Sequence, residues 1–286
     1  MRAVRFEKWQ ALGNGYLIVE SRALPFALTP ARVRRLCDPH FGPGGDGVLE
    51  LSAPEQPGFV ARLRIFNPDG SEAELSGNGA REAILYLRRA GWTTADVFSI
   101  ETAAGEIRPT ITGESTCRVD MGRAKLVSKD FPGGPADGTG ELEAGGRRWR
   151  FQHVSVGNPQ CAIRIEDRAP LEALDLPAIG PEIESSALFP NRTNTSFWCE
   201  LSPGAIRARI FERGVGETLS SGTGACGAAI AHVLRGGDSP VTVELDGGAL
   251  TVEVDEALHV DLTGWAVPVY RGELSGELLA ELASRP

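Results

Sequence analysis

The stretch Glu212-Arg-Gly-Val-Gly-Glu-Thr-Leu-Ser-Ser-Gly-Thr-Gly-Ala-Cys-Gly227 decides the fold of this chain. An apolar strand pattern at residues 208–211 precedes its glycine-rich turn, and an apolar pattern with helical spacing at residues 225–234 follows it. A strand, a glycine-rich turn and a helix start together direct free backbone N–H groups at an anion. The stretch therefore predicts an anion cradle at the N-terminus of a helix.

The same pattern occurs once more, earlier in the chain. Residues 62–80 align with residues 207–225 without a gap, at a constant offset of 145 (207 − 62). Upstream, Gly13-Asn14 matches Gly157-Asn158 at an offset of 144 (157 − 13). We therefore predict one supersecondary unit used twice, with the two Ser-Gly-x-Gly-Ala turns as equivalents. The positions of the first copy that are identical in the second are Arg62, Arg64, Ile65, Phe66, Glu72, Ser76, Gly77, Gly79, Ala80 and Ala83.

A duplicated turn of this kind predicts two pseudo-symmetric halves whose helix N-termini face each other across a cleft. Each N-terminus carries roughly +0.5 of a charge and unpaired N–H groups, so a substrate carboxylate held there is neutralised and its α-proton becomes easier to remove. Ser76 and Ser221, one residue before each glycine, are expected on opposite faces of the α-carbon. A two-base racemase needs this layout, because one group removes the proton and the other returns it on the opposite face.

Eight motifs follow one another in the order of a known family. They are Leu12-Gly-Asn-Gly-Tyr16, Phe41-Gly-Pro-Gly-Gly-Asp-Gly47, Arg64-Ile-Phe-Asn-Pro-Asp-Gly-Ser-Glu72, Gly77-Asn-Gly-Ala-Arg81, Gly157-Asn-Pro159, Asn191-Arg-Thr-Asn194, Glu212-Arg-Gly-Val-Gly-Glu-Thr218 and Gly222-Thr-Gly-Ala225. Through these motifs the chain resembles the diaminopimelate epimerase family over nearly its whole length.

The resemblance implies an α/β (α+β) fold with two pseudo-symmetric domains. Each domain is expected to be a mostly antiparallel sheet or partial barrel around a central helix, with the active site in the cleft between them. The expected bounds are residues 1–121, with 267–286 returning to that half, and residues 122–266. A length of 286 residues independently favours two domains.

The resemblance also implies a substrate pocket and a cradle for the reacting carboxylate. Arginine and amide groups suit a carboxylate, and a glutamate complements an ammonium group. A single asparagine beside glycine is more often a turn former, and a serine before a helix is often only its cap. The implied pocket residues are Asn14, Asn67, Asn158, Asn194, Glu212 and Arg213, and the implied cradle residues are Gly77, Asn78, Gly222 and Thr223.

Four positions depart from the family pattern. Ser76 and Ser221 stand where the family has its two catalytic cysteines, Gln160 stands for a histidine, and Glu82 stands for a cysteine. A hydroxyl is a much poorer acid than a thiol and needs a partner base. The serines could relay protons with help from Glu212, Glu217 or Glu82. Alternatively, the chain has kept amino-acid binding and lost turnover. An engineered pair of Cys→Ser changes is a third explanation, and Gln160 and Glu82 argue against it. By itself, Glu82 is expected on a solvated helix face.

The leading functional hypothesis is a cofactor-independent amino-acid isomerase that resembles diaminopimelate epimerase. Its expected reaction converts LL- to meso-diaminopimelate, without pyridoxal phosphate, in lysine biosynthesis. Ser76, Ser221 and Glu212 are the candidate catalytic residues. A catalytically silent amino-acid-binding homologue and a relative that runs another α-proton reaction, a dehydratase or an isomerase, are the alternatives.

Composition narrows the possible partners. A net charge of −9, with scattered Lys and Arg, predicts no nucleic-acid or membrane partner. The N-terminus lacks the apolar region of a signal peptide, and five scattered cysteines suit the cytoplasm. The four histidines lack ligand spacing, so no metal is expected. The family resemblance implies that no cofactor is used. We expect a small amino-acid substrate and a possible homodimer.

The secondary-structure patterns place these motifs. Thr29-Pro30 predicts the start of a helix that ends near Cys37, and the helix after Ser76 is expected to be buried in its own domain. Residues 131–147 read as a loop or hairpin tip, and residues 171–185 as a broken helix. A strand at residues 267–270 is expected to return to the first half, before a packed or frayed surface helix at residues 274–283.

Overall fold

The computed structural model describes residues 3–74 and 76–285, which form nineteen β-strands, six α-helices and one 3-10 helix. The helices are the 3-10 helix Ser21–Ala23, α1 (Pro30–Cys37), α2 (Gly77–Arg89), α3 (Arg168–Glu172), α4 (Leu176–Glu184), α5 (Gly222–Val233) and α6 (Gly276–Ser284). The strands are β1 (Arg5–Ala11), β2 (Asn14–Glu20), β3 (Gly47–Ser52), β4 (Ala61–Phe66), β5 (Glu72–Ala73), β6 (Ile100–Thr102), β7 (Gly105–Ile107), β8 (Pro109–Ile111), β9 (Thr116–Arg123), β10 (Thr139–Ala144), β11 (Arg147–Ser155), β12 (Pro159–Arg164), β13 (Asn194–Ser202), β14 (Ala205–Glu212), β15 (Gly216–Thr218), β16 (Val241–Leu245), β17 (Gly248–Val254), β18 (His259–Trp265) and β19 (Val267–Glu273).

The chain divides into two compact units. Unit 1 consists of the described residues up to Val119 and from Gly264 onward, and unit 2 consists of Asp120–Thr263. Each unit has its own apolar core. Leu17, Val33 and Leu36 belong to the core of unit 1, and Trp149 and Phe197 belong to that of unit 2.

The two units repeat one strand order. In unit 1 it is β19-β1-β2-β3-β4-β6-β7, with β5 paired to β4. In unit 2 it is β10-β11-β12-β13-β14-β16-β17, with β15 paired to β14, and β18 continues that sheet. Parallel pairing recurs at the same places, namely β2–β3 and β4–β6 in unit 1 and β12–β13 and β14–β16 in unit 2. The predicted fold class, an α+β chain with two pseudo-symmetric halves, is confirmed.

Strand β19 takes in unit 1 the place that β10 takes in unit 2. It pairs antiparallel with β1, with Arg5 opposite Glu273 and Gln10 opposite Val267. β10 pairs in the same sense with β11. The prediction that residues 267–270 return to the first half is therefore confirmed.

One long helix packs on the sheet of each unit. α2 contacts β1, β2 and β3, and α5 contacts β11 to β14. α5 is built largely from glycine and alanine, and Ala225, Ala228 and Ala229 are 0% exposed. Small side chains let α5 approach the sheet closely. Ala83, Ile84 and Leu87 of α2 are also 0% exposed, so the predicted burial of the helix after Ser76 is confirmed.

One local prediction changes in the structure. Residues 131–147 contain β10, because Leu142 and Ala144 alternate into the core of unit 2 while glycines flank the strand. The helix predicted at residues 274–283 forms as α6, and it is packed, because Leu279 and Leu282 lie in the core of unit 1. Residues 171–185 fall in α3 and α4, with a break after Glu172 as predicted.

Candidate active site

The turn of unit 2 brings two predicted catalytic residues together. β14 ends at Glu212, and Ser221 caps α5, where its Oγ accepts a hydrogen bond from the Gly224 N–H at 3.2 Å. The Ser221 hydroxyl is also a neighbour of the Glu212 carboxyl, and hydrogen bonding between them lowers the pKa of Glu212. Ser221 therefore acts as a helix cap and at the same time has an acceptor for its own proton.

Burial controls the proton affinity of Glu212. It raises the pKa of this carboxyl, and hydrogen bonds from the Ser221 and Thr218 hydroxyls offset part of the rise. Thr218 Oγ1 lies 3.5 Å from Glu212 Oε1. Because a carboxylate with a raised pKa is a better proton acceptor, Glu212 is suited to take the Ser221 proton.

The equivalent turn of unit 1 gives its serine a different partner. Ser76 caps α2, where its Oγ accepts a hydrogen bond from the Gly79 N–H at 3.1 Å. The same oxygen accepts a second hydrogen bond from the Tyr16 hydroxyl at 3.2 Å. Asn67 occupies the repeat position of Glu212, and its Nδ2 donates to Ser71 Oγ at 3.0 Å within its own turn. Ser76 therefore faces a phenol where Ser221 faces a carboxylate.

The asparagines predicted in the pocket make equivalent contacts in both units. Asn78 Nδ2 donates to Asn14 Oδ1 at 3.3 Å, and Asn158 Nδ2 donates to Thr223 Oγ1 at 3.2 Å. Asn78 and Thr223 are equivalent at the offset of 145, and Asn14 and Asn158 at the offset of 144. The repeat thus extends to a contact between the β-turn asparagine and the first turn of the helix.

Asn194 and Arg213 hold the end of β14 in place. Asn194 Oδ1 accepts a hydrogen bond from the Arg213 N–H at 2.9 Å, and its Nδ2 donates to the Pro159 carbonyl at 3.0 Å. The Arg213 side chain donates through Nη1 to the Asn191 carbonyl at 2.9 Å. Both ends of the Asn194 amide are therefore used inside unit 2, whereas the Arg213 guanidinium has further donors for a carboxylate.

Each helix start lies at one of the two duplicated turns. Gly77 and Asn78 begin α2, and Gly222 and Thr223 begin α5. In both helices the cap serine binds the N–H of the third helical residue. The partial positive charge of a helix N-terminus favours an anion, so both helix starts are suited to the carboxylate cradle that the sequence predicts, which stays a prediction.

Among the three predicted helper carboxylates, Glu212 is the one bonded to a cap serine. Glu217 pairs with Arg209, with Nη2 and Oε1 2.5 Å apart. The equivalent residues of unit 1, Arg64 and Glu72, form the same ion pair at 2.8 Å. These repeated residues therefore brace the β4–β5 and β14–β15 hairpins.

Glu82 is not the solvated helix-face residue that its sequence position suggested. Its side chain is 0% exposed because α2 is buried on nearly every side along its first two turns. Burial raises the pKa of Glu82 well above its usual range, and the backbone N–H groups of Tyr16 and Ala11 only partly offset this. Tyr16 N donates to Glu82 Oε2 at 3.3 Å. Glu82 thus contacts the backbone of Tyr16, the residue whose hydroxyl contacts Ser76.

Gln160 contacts one of the predicted pocket residues of unit 2. Its Nε2 donates to Asn158 Oδ1 at 2.8 Å. A Cβ at Gly227 would lie 2.9 Å from the Gln160 Cβ, so glycine at that position makes room for the glutamine. Gly227 is the repeat equivalent of Glu82 (82 + 145). In unit 2 the helix residue is small and the strand residue Gln160 takes the space, whereas in unit 1 the Glu82 side chain occupies it.

The sequence reasoning missed Tyr16 and Asp46. Asp46 Oδ2 accepts hydrogen bonds from the Gly15 N–H at 2.7 Å and from Asn14 Nδ2 at 3.2 Å, which fixes the β1–β2 turn. Tyr16 is the repeat equivalent of Gln160 at the offset of 144, so the register contained a signal for it. No comparable signal marked Asp46 beyond its place in a glycine-rich loop.

Other functional groups lie outside these turns. Asp120, His259 and Asp261 place one ligand atom each within 4.8 Å of one another, and His259 already pairs with Asp120 at 3.0 Å. All five cysteines are buried, and burial raises the pKa of Cys37 and Cys117 to about 12. Neither of these two thiols can replace the missing thiol bases at neutral pH.

Within residues 3–74 and 76–285, every helix is too short or too polar to cross a membrane.

Known proteins share this architecture. A family model for diaminopimelate epimerase matches residues 6–127 and 152–272. The diaminopimelate epimerase of Synechococcus sp. (strain JA-3-3Ab) is 42% identical, over 93% of this chain and 96% of that protein. A PhzF-family phenazine biosynthesis protein from Bacillus anthracis has a TM-score of 0.69 at 21% identity, over 96% of this chain and 100% of that one. A probable proline racemase from Agrobacterium radiobacter K84 has a TM-score of 0.69 at 14% identity, over 96% and 93% of the two chains.

At these low identities the two solved structures show a common fold, one shared by a PhzF-family protein and a probable proline racemase. The family match and the 42% identity go further: the chain belongs to the diaminopimelate epimerase family. The resemblance drawn from the eight motifs is confirmed, and so is the expected enzyme class, an isomerase of the epimerase type.

Proposed function

We propose that this chain is a diaminopimelate epimerase in which serine hydroxyls, and not thiols, move the α-proton. The observation that carries the proposal is the Glu212 carboxylate bonded to the Ser221 hydroxyl at the start of α5. A serine hydroxyl needs such an acceptor to work as a base, and burial makes Glu212 a stronger one.

The proposed proton transfer starts at Ser221. Its Oγ takes the proton from the substrate α-carbon while its own proton passes to Glu212. The electron pair left on the α-carbon spreads into the substrate carboxylate, where backbone N–H groups of a helix start, such as those of Gly222 and Thr223, stabilise it. Ser76 returns a proton to the opposite face, which inverts the centre.

The substrate assignment rests on the names of the relatives and on the polar groups around the turns. Diaminopimelate has a second amino-acid end, and Asn14, Asn67, Asn158, Arg213 and Asn194 are the groups proposed to hold that end. Asn194 acts there through the Arg213 backbone that it fixes. Under this proposal the reaction serves lysine biosynthesis in the cytoplasm and proceeds without pyridoxal phosphate.

The first experiment follows LL-diaminopimelate in D2O by proton NMR, with chiral chromatography of the product. We expect loss of the α-proton signal and appearance of the meso isomer. Binding by calorimetry without exchange would identify a silent binding homologue and contradict the proposal. Exchange followed by loss of the amino group or by a double-bond shift would identify another α-proton reaction.

A further inference from the structure

The two cap serines have opposite hydrogen-bonding roles. Ser76 Oγ accepts from both the Gly79 N–H and the Tyr16 hydroxyl. A hydroxyl oxygen has two lone pairs, so the only hydrogen bond left to Ser76 is the one that its proton donates. Ser221 Oγ accepts one hydrogen bond, from the Gly224 N–H, so a lone pair is left to receive a proton, and the Glu212 carboxyl is its neighbour.

Two contacts hold the backbone and the ring of Tyr16 in place. Tyr16 is 5% exposed, and its N–H donates to the buried Glu82 carboxyl. A Cβ at Gly47 would lie 2.5 Å from the Tyr16 Cε1, so the ring packs directly on the glycine backbone. This close approach lets the phenol reach Ser76, and a larger residue at position 47 would displace it.

From this geometry we infer that Tyr16 is a positioning residue that makes Ser76 the proton-donating side of the reaction. The inference rests on the proposed function and extends it by assigning different tasks to the two serines. Ser221 with Glu212 removes the proton, and Ser76 with Tyr16 supplies one.

The proton balance of one turnover is complete. The α-carbon–hydrogen bond breaks as a proton reaches Ser221 Oγ, and the Ser221 proton passes to Glu212. The Ser76 O–H bond then breaks as a new carbon–hydrogen bond forms on the other face, and the Tyr16 phenolic proton moves to Ser76 Oγ. Water afterwards takes the proton from Glu212 and returns one to the phenolate of Tyr16. In the reverse direction the same steps run backwards.

The test is Tyr16→Phe, which keeps the ring against Gly47 and removes only the hydroxyl. LL- and meso-diaminopimelate are incubated separately in D2O, and α-proton exchange and inversion are measured for each. We expect inversion to fall about 100-fold. Exchange should fall similarly for the isomer whose α-proton faces Ser76 and stay within about threefold of wild type for the other.

Two controls separate this role from a structural one. Tyr86→Phe removes another phenol of unit 1, one that donates to Glu20 Oε1 at 3.0 Å, and should leave both rates unchanged. In the Ser76→Ala background, Tyr16→Phe should have no further effect on inversion, because both changes interrupt one relay.

Each outcome has a clear meaning. Equal loss of exchange from both isomers, or unchanged inversion in Tyr16→Phe, would overturn the role of Tyr16 and leave the proposed function standing. A wild-type protein that exchanges neither isomer would overturn the proposed function and this inference together.

Discussion

The two Ser-Gly-x-Gly-Ala turns share a backbone and differ in the group that meets the serine hydroxyl. Both serines cap a helix through the N–H of its third residue, at 3.1 Å for Ser76 and 3.2 Å for Ser221. Ser76 meets the phenol of Tyr16, and Ser221 meets the carboxylate of Glu212. A duplicated backbone can thus keep the same helix cap in both copies while the groups that meet the two hydroxyls differ.

The largest expected change in rate comes from removing the Glu212 carboxylate. We expect Glu212→Gln to lower the epimerisation rate about 1,000-fold, because Ser221 loses the acceptor for its proton. Initial rates with LL- and meso-diaminopimelate measure the effect. The matched control is Glu217→Gln, which removes a carboxylate paired with Arg209 and should change the rate by no more than about threefold.

The pH profile of the same variants sharpens the assignment. Glu212 must be ionised to accept the Ser221 proton, and burial raises its pKa. The wild-type rate from the isomer facing Ser221 should therefore rise with pH through a pKa above 4.5. If Glu212→Gln keeps that rise, another group is responsible for it.

A second test makes the two turns chemically alike. Ser76→Cys combined with Ser221→Cys places a thiol at both helix starts, where the positive end of the helix favours a thiolate. We expect the epimerisation rate to increase about 10- to 100-fold, and the effect of Tyr16→Phe to shrink in that background. Steady-state rates of the wild type and both single variants provide the comparison. No gain in the double variant would indicate a pocket shaped for a ligand other than diaminopimelate.

The smallest expected effect concerns two equivalent helix positions that carry different residues, Glu82 in unit 1 and Gly227 in unit 2. Burial raises the pKa of Glu82 in the folded chain above its ordinary value of 4.5. Its contribution to the free energy of unfolding is therefore fully present below about pH 4.5 and is lost as the pH rises through the folded-state pKa. We expect Glu82→Gln to match wild type near pH 4.5 and to be more stable than wild type at pH 7.5, where the wild-type carboxyl resists ionisation in its buried place.

Urea unfolding at the two pH values measures this difference. Glu114→Gln changes an exposed glutamate of the same unit and should show no pH-dependent gain. A Glu82→Gln protein that is less stable than wild type at pH 7.5 would mean that the charged carboxylate has a stabilising partner.

Much of the fold could be predicted because the repeat has local signals. The glycine-rich turns, the cap serines and the returning strand at residues 267–270 are all readable from residue type and spacing. The burial of Glu82 was not readable, because it depends on how the sheet of unit 1 covers α2. The strand β10 was hidden by the glycines on either side of it.

The candidate site shows the same limit. The sequence named Glu212, Glu217 and Glu82 as possible helpers but could not choose among them. The choice depends on side-chain contacts, since Glu217 points to Arg209 and Glu212 to Ser221. Tyr16 was missed because its phenol reaches Ser76 through a close approach to Gly47, which is distant in the sequence.

The position of β19 sets an order of events during synthesis. Unit 2 is one uninterrupted segment, so all of its strands are available once Trp265 has left the ribosome. β1 is translated among the first strands, yet one of its edges waits for a neighbour until Glu273 emerges. Synthesis of unit 1 thus begins first and its sheet is completed last. Until then, the unpaired edge of β1 can form hydrogen bonds with strands of other chains.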